Sequence, residues 1–187
     1  LVQQGHDQAL LAYFEHDEIN SEGKPVSPHF KPSLNPDFLL SCPYMGRALA
    51  VRTDWAQPLL EQANGVFDLV LAYRLMLKAL RDAGPTGFVH VPAMLAHLNP
   101  NEPAMFAQTS DAWQGLAQVL DEHLQITAPE THIQEGPGPG TFHVIYPLPR
   151  TPLVSIVIPT RDQLPFLSRC IDSLLSTTNY PAFEILV

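Results

Sequence analysis

The last 38 residues constrain the fold more than any other stretch of the chain. Leu153-Val154-Ser155-Ile156-Val157-Ile158 is an almost purely β-branched run that ends at Pro159-Thr160. Side chains branched at Cβ favour a pleated, buried strand. Helical spacing follows from about Leu164 to Thr177, then a turn at Asn179-Tyr180-Pro181, then a second strand-like run, Phe183–Val187. Strand, helix and strand in this order, with both strands apolar, form a β-α-β unit, whose strands pair in parallel through the helical crossover. The end of the chain is therefore expected to be α/β. Ligands of open α/β sheets bind beyond the carboxyl ends of the strands. Pro159, Thr160, Arg161 and Asp162 occupy that place after the first strand.

Upstream the pattern is more mixed. Residues 9–14, Ala-Leu-Leu-Ala-Tyr-Phe, are a short apolar run suited to a buried strand, which leads directly into Glu15-His16-Asp17-Glu18. A loop rich in Ser, Gly, Lys and Pro is expected from Asn20 to Pro36, and Leu49-Ala50-Val51 is strand-like. Helical spacing begins at Trp55-Leu59-Leu60. It is clearest from Phe67 to Ala83, where Phe67, Val70, Leu71, Leu77 and Leu80 recur every three or four residues. Gly84-Pro85 should end that helix. Phe88–Val91 is a short strand candidate stopped by Pro92, and Ser110–Leu124 is an amphipathic helix with Ser110 or Asp111 as its cap. Gly136-Pro137-Gly138-Pro139-Gly140 has the composition of a boundary between domains.

Composition narrows the function. With 187 residues and 45% hydrophobic content the chain can bury a core. A net charge of −9 opposes non-specific nucleic-acid binding, which needs a basic face against phosphates. Cys42 and Cys170 stand far apart and form no disulfide framework or paired metal-ligand motif, so a reducing, cytoplasmic setting fits them. No apolar run is long enough to span a bilayer. The chain starts without Met and stops within a strand-like run, so it reads as a segment of a larger protein.

Chemistry concentrates at Glu15-His16-Asp17. Residues two apart on an extended segment point the same way, so both carboxylates could aim at one site. Oxygen ligands of this kind suit a hard divalent cation, which can bridge to phosphates. The plain alternative is an acidic loop facing solvent.

The run Tyr13-Phe14-Glu15-His16-Asp17-Glu18-Ile19 with Gly23, then His29-Phe30-Lys31-Pro32 and Asp37-Phe38-Leu39-Leu40, resembles a stretch of family 2 glycosyltransferases of the GT-A fold. In relatives that build O-antigen and other surface polysaccharides, a strand ends in an aspartate-x-aspartate signature and these segments follow it. The resemblance implies Asp17 as the first ligand of a divalent metal, Mg or Mn. Glu15, where the family usually has aspartate, and His97 would be further contacts. Around His97 only the histidine of a Tyr-His-Trp-Arg-like run is kept. Gly65-Val66-Phe67-Asp68-Leu69-Val70-Leu71 resembles the segment that supplies the catalytic base, which makes Asp68 the group that takes the acceptor's proton. Its other reading is a helix-start carboxylate that serves stability alone. His90 reads as a strand histidine satisfied locally.

Residues 154–162 likewise resemble the first strand and nucleotide loop of a second GT-A domain, so Pro159, Thr160, Arg161 and Asp162 are candidates for nucleotide binding. Three regions are thus expected: 1–104, the metal and acceptor half of one glycosyltransferase domain; 105–149, a helix and Gly/Pro linker; and 150–187, the opening β-α-β of another. The implied parent moves a sugar, with inversion, from a nucleotide-diphospho-sugar donor to a glycan or lipid-linked glycan acceptor. It would work in the cytoplasm, with contact at the inner face of the membrane left open, and the segment alone would be inactive. Two other readings remain: a degenerate, non-catalytic module that scaffolds its partner domain or binds glycan, and a generic nucleotide-binding α/β protein, which accounts for the last 38 residues only.

Overall fold

A computed structural model describes residues 8–64, 67–98 and 110–187, with the side chains of 110–112 left aside. Gly65 and Val66 of the base-supplying segment, the expected boundary at 104/105, and the cap side chains Ser110 and Asp111 lie outside the described residues. The chain is mixed α/β and divides into two compact units, one ending at Tyr146 and one spanning Pro147–Val187.

The first unit is built around strand β1 (Leu11–Ile19). It pairs antiparallel with β2 (Pro25–His29) on one side and with β3 (Leu49–Val51), and in parallel with β4 (Phe88–Leu98). The acidic run is thus inside a strand rather than beyond its end. The expected loop after it turns back at once as β2. Asn20 makes this possible: its side chain accepts the N–H groups of Glu22 and Lys24 at 3.0 and 2.9 Å, and Gly23 takes φ +75°. A short helix, α1 (Pro36–Ser41), begins with Asn35 capping the Phe38 N–H at 3.0 Å and Pro36 in its first turn.

Helix α2 (Thr53–Gln62) leads to α3 (Leu69–Ala83), the centre of the core. Packing against β1, α2 and α4 (Ser110–Thr127) buries more of α3 than a single stripe. Leu71 and Leu77 are buried as their spacing implies, but Tyr73, Leu75, Met76 and Ala79 are buried as well. Phe67 precedes the helix and is 42% exposed, so it is no part of the core stripe. Gly84 ends α3 with φ +57°, a conformation that favours glycine, as the Gly-Pro pair implies.

Two expectations are corrected here. Strand β4 does not stop at Pro92. It runs on to Leu98 because Pro92 falls where the ladder with β1 shifts register, and no partner there needs its missing N–H. The Gly/Pro cluster is the turn of an antiparallel hairpin, β5 (His132–Glu135) with β6 (Phe142–Ile145). Phe142 is buried and stacks on Tyr73, at 6.3 Å between ring centroids, so this hairpin belongs to the first core.

The second unit has the expected order. Strand β7 (Val154–Val157), helix α5 (Leu164–Thr177) and strand β8 (Phe183–Leu186) form a β-α-β whose two strands are parallel.

Candidate functional site

Three consecutive polar residues of β1 and a lysine from the segment after β2 form the densest buried polar group of the first unit. Glu15, His16, Asp17 and Lys31 are all buried. Buried charge is costly unless it is paired and hydrogen-bonded, so their partners identify the site.

Both carboxylate oxygens of Glu15 are hydrogen-bonded. One carboxylate oxygen meets His90 Nε2 at 2.9 Å, and the other accepts the Lys31 backbone N–H at 2.7 Å. A carboxylate can only accept, so Nε2 of His90 carries the proton. The His90 ring stacks on Tyr13 at 4.6 Å and 6° between planes, and Tyr13 donates its hydroxyl to the Pro32 carbonyl at 2.9 Å. Lys31 Nζ donates to the Phe14 carbonyl, and burial pushes its ammonium pKa down to about 8. His90 is therefore bound across the sheet, not satisfied within its own strand.

Asp17 forms a separate pair. Its Oδ1 contacts His97 Nδ1, the carboxylate side chain being 8% exposed and the imidazole 55%. The contact holds one ring nitrogen and leaves the rest of the ring facing solvent. Both residues lie near the carboxyl ends of parallel strands, where α/β proteins hold ligands.

His16 stacks on His29 of β2 at 4.6 Å. Burial drives its pKa down to about 4, so it is neutral at pH 7, and its Nδ1 is buried without a hydrogen-bond partner.

The three residues expected around one metal are thus divided. Asp17 and His97 come together, while Glu15 goes to His90 and Lys31. The register shifts on both sides of Glu15 insert extra residues into β4, so they change which β4 residue each carboxylate meets. Among the described residues, no three His, Cys, Asp or Glu side chains gather as a metal cluster. Asp68 is the N-cap of α3: its Oδ1 accepts the Leu71 N–H at 2.8 Å, its side chain is exposed, and it bonds to none of the β1–β4 cluster. In the second unit Pro159–Asp162 form the loop after β7, as expected. Arg161 and Asp162 are 3.8 Å apart and exposed, and Asp162 takes φ +53°.

Sequence reasoning gave no role to His90, Tyr13 or the Lys31 amide. For His90 the available signal was a histidine on an apolar strand candidate; only the pairing of β4 with β1 supplies its partner.

No helix among the described residues is long and apolar enough to cross a membrane. No protein-family model matches the chain, and no solved structure matches it. It is 31% identical over 186 residues, 96% of its length, to the O-antigen biosynthesis protein RfbC of Myxococcus xanthus, and spans 14% of that protein. It is 28% identical over 97% of its length to the uncharacterized protein y4gI of Sinorhizobium fredii, and spans 20% of it. The chain is thus related, over nearly all of its own length, to a small part of a protein named for O-antigen biosynthesis.

Proposed function

We propose that this chain is part of a glycosyltransferase of polysaccharide biosynthesis that moves a sugar, with inversion, from a nucleotide-diphospho-sugar to a growing glycan acceptor. The carrying observation is the buried Asp17 carboxylate fastened to the exposed His97 at the carboxyl ends of β1 and β4. Relatedness to part of an O-antigen biosynthesis protein supports polysaccharide biosynthesis as the setting. Mg is usually held by one or two carboxylates plus substrate phosphates, carboxylate oxygen suits Mn as well, and Asp17 supplies an oxygen ligand of that kind. Asp17 and His97 would hold the ion; Glu15, with both oxygens taken, would not. When bound, such an ion supplies positive charge against a departing diphosphate.

The chain's own residues do the rest. Asp68 uses one oxygen to cap α3, which leaves the other to accept a proton from the acceptor hydroxyl as that oxygen attacks the anomeric carbon. The Pro159–Asp162 loop would contact the nucleotide of a second domain's own site. Catalysis would take place in the cytoplasm, on a glycan or lipid-linked glycan.

The test is Asp68→Asn in the full-length protein. Transfer should be abolished while donor binding survives, and unchanged turnover would remove Asp68 from the mechanism. Glu15, committed to His90 and Lys31, favours a second reading, a non-catalytic module. Metal-dependent binding of a nucleoside diphosphate that is lost in Asp17→Asn separates the two, because a scaffold has no use for it.

A further inference from the structure

The register between β1 and β4 carries more than pairing. From Leu11 opposite Phe88 to Phe14 opposite Val91 the strands advance together. Beyond that point Glu15 stands opposite Met94, His16 opposite Ala96 and Asp17 opposite His97. Pro92 and Ala93 are passed over at the first shift and Leu95 at the second. Continued without these shifts, the ladder would set Asp17 against Met94 and carry His97 past Ile19, the end of β1. A bulge costs ladder bonds and persists only where its surroundings hold it.

Glu15 is the residue between the two shifts, and its carboxylate is tied on both sides. His90 binds it from the part of β4 that precedes the first shift, and the Lys31 amide binds it from the segment after β2. His90 is in turn held flat against Tyr13, its partner in the undisplaced register. We infer that Glu15 and His90 are a positioning pair: they hold the displaced register that sets Asp17 against His97, and touch neither donor nor metal themselves. The value of that placement rests on the function proposed above, but the placement itself can be tested without any transfer reaction.

The experiment is long-range proton–nitrogen NMR of the full chain with labelled histidines. Contact with Asp17 keeps the proton of His97 on Nδ1, and Asp17→Ala identifies that signal by its loss. Glu15→Ala and His90→Phe should also lose it while the backbone amide spectrum stays dispersed. His90→Gln keeps a donor toward Glu15 and should retain it. A purely structural role would lower the melting temperature of the variants without moving the His97 signal of the folded protein. Persistence of the signal at wild-type strength in Glu15→Ala and His90→Phe would overturn the inference. So would the failure of both to fold, since the pair would then be a requirement of the fold and not of the register. If instead Asp17→Asn in the full-length protein leaves transfer intact, the functional reading fails while the register result stands.

Discussion

Helices α3 and α5 are nearly equal in length, 15 and 14 residues, and both are amphipathic, yet they meet different fates. Seven residues of α3 are buried, whereas α5 has none. The same contrast holds for the strands. β1 has neighbours on both edges, while β7 and β8 pair only with each other among the described residues. Val157, Leu164, Phe166 and Leu175 are exposed. Apolar patterning supplies a face to bury, but burial needs a second layer, and parallel strands need cover on both faces. The first unit has those layers in α3, α4 and the β5–β6 hairpin. In this chain those four apolar side chains of the second unit face solvent.

The largest test of that contrast is a pair of truncations. Leu75 is 0% exposed and Leu164 is 74% exposed. Leu75→Ala should cost about 2–5 kcal/mol in chemical denaturation, and Leu164→Ala less than about 0.5 kcal/mol. Equal losses would show that α5 shares a core with the rest of the chain.

A smaller effect sharpens the account of Asp68. Asp68→Ala removes the cap of α3 and should lower stability by about 1 kcal/mol, whereas Asp68→Asn keeps a capping oxygen and should change it little. Loss of transfer in the full-length Asn variant, at unchanged stability, then separates the chemical role from the structural one.

The smallest effect is a difference in reactivity between the units. Cys42 is buried in the first unit, which pushes its thiol pKa up to about 11, while Cys170 on α5 is exposed. Alkylation near pH 8 should modify Cys170 promptly and Cys42 only on unfolding, because the thiolate is the reactive form. Mass spectrometry of the labelled peptides reads this directly. Early labelling of Cys42 would mean that the first unit opens far more readily than its packing implies.

Much of the local structure was legible in the residues. The Leu164–Thr177 pattern is α5 residue for residue, and the Gly84 stop and the Leu153–Ile158 strand candidate are met with small changes. These elements are coded by spacing and by residues with narrow backbone preferences. β2 was not legible because Ser27, at φ +50°, and two prolines disguise it. The hairpin turn read as a linker because glycine and proline punctuate both.

The candidate site divides along the same line. By itself the sequence determined which ionisable groups are available, that Glu15 and Asp17 enter on one apolar strand, and that Asp68 stands where a helix begins. Only the tertiary structure decided which of them meet. It gave Glu15 to His90 and Asp17 to His97, across 75 and 80 residues of chain. Spacing along one strand says where a side chain starts, but its partner depends on the register of another strand, and that register depends on bulges no local pattern records.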